Sequence, residues 1–100
     1  MPAISRDQDL ATTGHACDII TAVKATQYKV TAEGKPMLRV RDPTMPHLIL
    51  VGIICVFHPE AKVNMASRTV FAKGIGVARV GDSTDAGFLF TGAGTVFAGG

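Results

Sequence analysis

The apolar residues of this chain occur in short runs that are rich in Val, Ile and Phe and are separated by glycine, proline and threonine. Such runs are typical of short β-strands, and the spacing of apolar positions fits a helix poorly. Residues 61–67 could form a short helix, but the repeat described below favours a strand there. The sequence therefore predicts an all-β protein of short hairpins, irregular over residues 1–13, with strands within 19–30, 37–41, 48–57, 68–72, 77–80, 88–90 and 95–98.

Two stretches of the sequence repeat each other at a constant offset of forty residues. The stretch from Val30 to Thr44 shares Val, Ala, Gly, Arg, Val, Asp and Thr, in register, with the stretch from Val70 to Thr84. A shorter third copy begins at Thr95. Repetition of this kind indicates one supersecondary unit used several times. We expect one domain over residues 1–100, with repeats at about 19–44, 61–84 and 90–100, folded into a pseudo-symmetric body suited to a symmetric partner.

The longest apolar run, from Leu48 to Phe57, is interrupted by Gly52 and is too short to cross a bilayer as a helix. Its composition predicts a buried strand that contributes to the core.

Composition excludes several classes of protein. A hydrophobic fraction of 47% excludes a disordered chain. The net charge is only +2, no Lys/Arg cluster stands out, and the chain has one Tyr and no Trp. A small β-barrel that binds single-stranded nucleic acid, the alternative function for an all-β chain of this size, would need a basic groove and exposed aromatic residues. No nucleic-acid partner is therefore expected.

The N-terminal residues do not resemble a signal peptide, because Arg6, Asp7 and Asp9 interrupt them. The chain is thus expected to be made in the cytoplasm. In that compartment Cys17 and Cys55 are expected to be thiols or metal ligands rather than a disulfide.

All three histidines lie in segments between predicted strands, beside turn residues. His15 precedes the first repeat, His47 follows it, and His58 precedes the second. If the repeats pack about a pseudo-axis, their loops converge at one end. Three imidazoles and one thiolate there would form a closed, structural zinc site, with iron as the less favoured metal. A Cys–His nucleophile is the catalytic alternative, but no motif supports one, so a non-enzymatic protein is expected.

Arginine and aspartate occupy equivalent places in the two longer repeats. Arg39 stands three residues before Asp42, and Arg79 stands three residues before Asp82. Each aspartate is placed to accept backbone N–H groups in its turn and to pair with its arginine. We interpret these four residues as structural turn residues.

The repeats resemble those of the PAAR-repeat family, the small cone-shaped tip proteins of contractile injection machines. The family's Gly-Lys-Pro-Ala-Ala-Arg-Val-Gly-Asp pattern is matched by residues 34–42 and more closely by Val70 to Asp82. The last residues, 92–99, resemble the family's closing segment, and residues 14–17 resemble the form found in members from tailed phages. The resemblance covers residues 14–100, and its specificity comes from the order and spacing of the motifs.

The resemblance implies a structural role. Family members sit as one copy on the blunt end of a trimeric β-helical spike, either a VgrG protein in type VI secretion or the central spike of a phage tail. Their pointed end carries a zinc ion held by three histidines and a cysteine. They are thought to sharpen the spike for transient entry into a target membrane and, in some systems, to carry effector proteins. The mature location implied is the tip of a phage tail or of a secretion-system spike.

The sequence departs from the family pattern at the expected cysteine, where Ala86 stands. The fourth ligand is first assigned to Cys17, because a two-residue step from His15 places both donors on one side of an extended chain. Cys55 and Asp85 are the alternatives. The run from Leu48 to Phe57 is also more apolar than the family's corresponding loop, so an exposed apolar tip stands as the alternative to a core strand.

Overall fold

A computed structural model describes residues 2–14, 17–59 and 61–99. As predicted, the protein is all-β, and every strand of at least two residues pairs antiparallel in a two-stranded sheet. The described residues contain no helix that is long and apolar enough to cross a membrane. The strands are β1 Leu10–Thr12, β2 Ile20–Ala22, β3 Thr31–Ala32, β4 Lys35–Pro36, β5 His47–Val51, β6 Ile54–His58, β7 Phe71–Ala72, β8 Ile75–Gly76, β9 Ser83–Thr84 and β10 Gly87–Phe88.

The two longer repeats fold as equivalent hairpins. In the first, β3 pairs with β4, and in the second, β7 pairs with β8. Each hairpin turns at a pair of residues with positive φ, Glu33 and Gly34 in one and Lys73 and Gly74 in the other. Left-handed conformations at both central positions suit a tight hairpin, which explains a glycine at the second position.

The third copy is assembled from the two ends of the described chain. Ala3 pairs with Phe97 as Pro36 pairs with Thr31 and as Gly76 pairs with Phe71. The residues that follow Ala3 supply a third arginine and aspartate at the same spacing, Arg6 and Asp9. The N-terminal segment, predicted to be irregular, therefore completes the third repeat and continues into β1. The repeat extends beyond the expected residues 90–100, since its second half lies at the other end of the sequence.

The three copies form a closed ring of backbone hydrogen bonds. The Leu38 amide donates to the Ser5 carbonyl (3.0 Å), the Ala78 amide to the Leu38 carbonyl (2.8 Å), and the Ser5 amide to the Ala78 carbonyl (3.0 Å). Because each copy donates to one neighbour and accepts from the other, the ring is pseudo-threefold and has no open edge at this level. Three isolated bridges follow the same order, Arg6 to Met37, Arg39 to Val77 and Arg79 to Ile4.

A carboxylate braces the turn in each copy. One oxygen of Asp9, Asp42 and Asp82 accepts the backbone N–H of the arginine three residues earlier, at 2.7, 2.9 and 2.9 Å respectively. The residue before each aspartate has positive φ: Gln8 (66°), Arg41 (73°) and Gly81 (95°). The buried carboxylates thus hold a left-handed turn that two of the three copies build without glycine.

The core consists of two small clusters of mostly small side chains. Leu38 and Ala78, from the ring itself, belong to one cluster, and Ile4 and Val77 belong to the other. The alanines Ala32, Ala72 and Ala98 occupy equivalent buried positions in the three copies, where a closely packed interior leaves little room for a larger side chain. The remaining members are Ala11, Val23, Val63 and Leu89.

Charged side chains also bind the third copy to the first. Glu33 accepts hydrogen bonds from the Thr95 hydroxyl (2.6 Å) and the Gly94 amide (3.1 Å), and the guanidinium of Arg6 lies 3.0 Å away. The Thr95 hydrogen bond, with lesser contributions from Gly94 and Arg6, lowers the pKa of Glu33 below its ordinary 4.5. The hydrogen bond to Asp9 raises the pKa of Arg6 above its ordinary value.

The run from residue 48 to 57 is not a core strand; it forms most of the hairpin of β5 and β6. Gly52, with a φ of 63°, turns the chain, and the two five-residue strands pair along their whole length. Neither face is covered by the body of the protein: Leu50, Val51, Ile54 and Phe57 are all exposed, and Ile53 at the apex is 97% exposed. The prediction of a buried strand was therefore wrong, because hydrophobicity along a chain does not show whether other elements lie over it.

Candidate metal centre and apolar hairpin

The candidate metal centre includes two histidines that face each other at the open end of the hairpin formed by β5 and β6. His47 opens β5, His58 closes β6, and the strand register places them directly opposite. Their ring centres are 4.7 Å apart, and Nδ1 of His58 lies 3.1 Å from Nε2 of His47. Two residues 11 positions apart in the sequence are thus brought together by the register of a single hairpin.

Asp85 supplies the third group from a different hairpin. It lies in the turn between β9 and β10 with a φ of 53°. One of its carboxylate oxygens is 2.9 Å from Nε2 of His47 and 3.6 Å from Nδ1 of His58. His47 is buried and Asp85 is nearly so, whereas about a quarter of the His58 side chain is exposed. The two imidazoles and the carboxylate form a group that could hold a metal ion.

The hydrogen bond on the far side of the His47 ring sets the chemistry of this group. Nδ1 of His47 lies 2.9 Å from the carbonyl oxygen of Met45, a contact that a carbonyl makes only with a protonated nitrogen. In its neutral form with Nδ1 protonated, the ring presents an Nε2 lone pair to the Asp85 oxygen, whereas a fully protonated ring donates an Nε2–H to it. Lone pairs at that separation repel unless a proton or a cation lies between them. A second-sphere carbonyl on the other ring nitrogen is also the usual arrangement at a metal-bound histidine.

The donor spacing agrees with tetrahedral zinc. Ligand bonds of about 2.0–2.1 Å in a tetrahedron place neighbouring donor atoms about 3.3 Å apart. The separations among Nε2 of His47, Nδ1 of His58 and the Asp85 oxygen are 2.9, 3.1 and 3.6 Å. Small side-chain adjustments would therefore suffice for binding.

The structure changes the ligand set that the sequence predicts. His47 and His58 come together, and Asp85, which was an alternative, joins them. His15 lies outside the described residues. The described residues just before His15 nevertheless come close to Asp85, since the Ala86 amide donates to the Thr13 carbonyl (3.1 Å). A Cβ on Gly14 would lie only 2.2 Å from the carbonyl oxygen of Ala86.

Neither cysteine is a free thiol, so the prediction that Cys17 is the fourth ligand requires correction. Cys17 and Cys55 are joined in a disulfide, and neither sulfur can act as a thiolate ligand or as a nucleophile in this form. The sequence carries one signal for this bond, since the two cysteines flank the first repeat and no third cysteine competes for pairing. The expectation of thiols rested on the compartment of synthesis alone.

The disulfide attaches a peripheral segment to the side of the apolar hairpin. Cys17 pairs with Ile49 as an isolated bridge. The Asp18 amide donates to the Leu48 carbonyl (3.1 Å), and the Leu48 amide donates to the Asp18 carboxylate (2.7 Å). These contacts provide hydrogen-bond partners for backbone groups of β5 on the side away from β6. They hold the half of the hairpin that is nearer to the histidines.

Above the histidines, the hairpin carries no charged residue. Residues 48–57 are all apolar apart from Gly52 and the disulfide-bonded Cys55. An isolated two-stranded hairpin with two exposed apolar faces is unusual, because it buries too little apolar surface in water to be stable by itself. We call residues 48–57 the apolar hairpin below.

Comparisons with protein-family models and with curated protein sequences each find no match for this chain.

Proposed function

We propose that this protein is a non-enzymatic spike-tip protein of a contractile injection machine, capping the trimeric β-helical spike of a phage tail or of a type VI secretion system. The observation that carries the proposal is the ring of three equivalent backbone copies closed by hydrogen bonds among Ser5, Leu38 and Ala78. A single chain with this symmetry can present three similar faces to a trimer, which a chain without internal repeats cannot do. The repeat motifs that resemble the PAAR-repeat family support the same role.

The end of the ring that carries the repeat hairpins, β3–β4 and β7–β8, is the surface we assign to the spike. The equivalent residues Phe71 and Phe97 are both about half exposed there, in two of the three copies. Exposed apolar side chains beside short hairpins are suited to covering the end of a β-helix, whose last strands also need a cap. The expected complex contains one copy of this chain per spike trimer, and effector proteins could ride on the same assembly.

We propose zinc at the metal centre, with His47, His58 and Asp85 as ligands and His15 completing the set. The fit rests on the convergence of the three ligand atoms and on the donor spacing described above. Zinc at a closed site of this kind would hold the foot of the apolar hairpin against the turn that follows β9. It would contribute to folding rather than activate water.

The apolar hairpin is the element we assign to contact with a membrane. A protein groove would cover one of its faces, whereas Leu50, Ile53, Ile54 and Phe57 are exposed around the whole hairpin. An isotropic apolar medium such as the acyl chains of a lipid leaflet matches that distribution. Five residues per strand, at about 3.4 Å per residue, give roughly 17 Å, about half of a 30 Å hydrocarbon core.

Spike binding is tested with a purified trimeric β-helical spike and native mass spectrometry. We expect one copy of this chain per trimer, and we expect the double substitution of Phe71 and Phe97 by Glu to weaken binding at least tenfold. The matched control is Ile53→Glu, which lies on the apolar hairpin and should bind the spike normally. Three copies per trimer, or binding that is indifferent to both phenylalanines, would contradict the proposed docking.

Membrane contact is tested by flotation with vesicles of phosphatidylcholine and phosphatidylglycerol. We expect the full chain to bind, and Ile53→Glu to reduce binding at least tenfold, since it replaces about 2 kcal/mol of apolar transfer with a charge. Tyr28→Glu, an exposed residue outside the apolar hairpin, serves as control and should bind as the parent does. Equal loss in both variants would refute a specific role for the apolar hairpin.

A further inference from the structure

The three copies of the ring differ at one point, the pairing of arginine with aspartate. In two copies the guanidinium grips its aspartate with two parallel contacts: Arg6 to Asp9 at 3.0 and 3.2 Å, and Arg79 to Asp82 at 3.1 and 3.0 Å. In the remaining copy the Thr26 hydroxyl donates to Asp42 (2.6 Å) and accepts from Arg39 (3.0 Å). Thr26 thus separates the guanidinium of Arg39 from the carboxylate.

Because of this separation, the guanidinium group of Arg39 makes fewer hydrogen bonds than those of Arg6 and Arg79. Its Nη1 makes only a long contact with the Ala72 carbonyl (3.4 Å), and its Nε is a buried nitrogen with no hydrogen-bond partner among the described residues. A buried N–H without a partner is costly, and nearly all such groups in proteins are satisfied by protein, water or ligand. In the other two copies the equivalent Nε donates to the aspartate.

Beside Arg39 lies an open cleft of about 640 Å³, lined by Arg39, Arg41, Asp42, Lys62, Gly74 and Gly76 among others. Three cationic side chains therefore line the cleft, and the one carboxylate among its described lining residues, Asp42, already accepts from Thr26 and from the Arg39 amide. The corresponding surface of the third copy contributes Asp7 and Gln8 to a smaller cleft of about 380 Å³.

Arg41 adds a second guanidinium group to the lining of this cleft. It adopts a φ of 73° at the position that Gln8 and Gly81 occupy in the other copies. A long side chain there carries a conformational cost of about 1 kcal/mol that glycine would avoid. Gln8 carries the same cost in the third copy, so the feature that distinguishes this copy is the positive charge of Arg41 beside the diverted guanidinium of Arg39.

We propose that this cleft binds an oxyanion, a carboxylate or a phosphate, between the guanidinium groups of Arg39 and Arg41. A guanidinium that lacks its internal carboxylate keeps its positive charge available to an external anion, and carboxylate and phosphate oxygens both accept hydrogen bonds from guanidinium groups. Gly74 adds no obstacle to an approaching group, because even a Cβ at that position would have no heavy atom within 4 Å. The site is independent of the spike-tip proposal, because it rests on one face of the ring and needs neither a trimer nor a membrane.

The test is a titration of the full-length protein with inorganic phosphate and, separately, with acetate, followed by NMR of the arginine Nε–H signals. We expect a saturable shift of the Arg39 signal, with a dissociation constant of the order of 1 mM, and no shift of the Arg79 signal. Saturation at lower concentration by phosphate identifies a phosphate-bearing ligand, and saturation at lower concentration by acetate identifies a carboxylate. No response to either anion, or the same response at Arg79, would overturn the proposal.

Two substitutions make the test independent of folding damage. Thr26→Val should let Arg39 pair with Asp42 as in the other copies and should reduce anion binding at least tenfold. Arg41→Gly should raise thermal stability, since glycine suits the positive φ, and should also reduce anion binding. The matched control is Gln8→Gly, which changes the equivalent turn of another copy and should leave binding unchanged. Full binding by both Thr26→Val and Arg41→Gly would overturn the assignment to this cleft.

Discussion

Replacing His47 with alanine is expected to remove the bound zinc and to lower the melting temperature by at least 12 °C. The reason is that a structural zinc contributes its binding free energy to folding, and about 3 kcal/mol of lost stability corresponds to roughly 12–24 °C in a domain of this size. The measurement is metal analysis by plasma mass spectrometry, paired with thermal denaturation followed by circular dichroism. His58→Ala should behave in the same way.

A chelator separates the loss of metal from ordinary damage to packing. In excess EDTA the parent protein and His47→Ala should melt at nearly the same temperature, because neither then holds zinc. Asp85→Asn keeps the size of the side chain and should weaken zinc binding, and His15→Ala tests the ligand that lies outside the described residues. If His47→Ala is equally destabilised with and without chelator, or if the parent contains no metal, the metal centre is refuted.

Removing the disulfide is the second change with a large expected effect. The bond links residues 38 apart in sequence and encloses the whole first repeat. A closed loop of that length reduces the entropy of the unfolded chain by an amount equivalent to about 4 kcal/mol at 25 °C. We therefore expect Cys17→Ser to lower the melting temperature by about 15–30 °C. Thermal denaturation with and without a reductant is the measurement.

The same variants decide between a disulfide and a thiolate ligand. Cys17→Ser and Cys55→Ser should lose stability equally, should match the reduced parent protein, and should keep their zinc, because neither sulfur belongs to the metal centre. Loss of zinc from Cys17→Ser alone would restore Cys17 as a metal ligand. A parent protein whose stability is indifferent to reductant would contradict the disulfide.

Much of the architecture was accessible from the sequence because it is local or repeated. The forty-residue offset between Val30 and Val70 predicts two equivalent hairpins, and glycine after Glu33 and after Lys73 marks their turns. The all-β class follows from short Val- and Phe-rich runs with no helical period. The sequence also singled out His47 and His58, which the structure brings into a group that could hold a metal ion.

The remaining features depend on contacts between residues that are distant along the chain. Arg6 and Asp9 repeat the spacing of the other copies, yet the segment lacks the preceding hairpin strand, which comes from the other end of the chain. The exposure of Ile53 could not be predicted for a different reason. The sequence shows that the residue is apolar but not whether another element of the fold covers it.

The sequence by itself determined the strand class, the repeats, their turns and the candidate ligands, because each depends on neighbouring residues or on a regular period. Only the tertiary structure decided that the ring closes through both chain segments, that Cys17 joins Cys55, and that Asp85 meets the histidines. It also decided that Thr26 diverts Arg39 in one copy alone. These outcomes depend on which side chains share a few ångströms of space, and sequence separation carries no information about that distance.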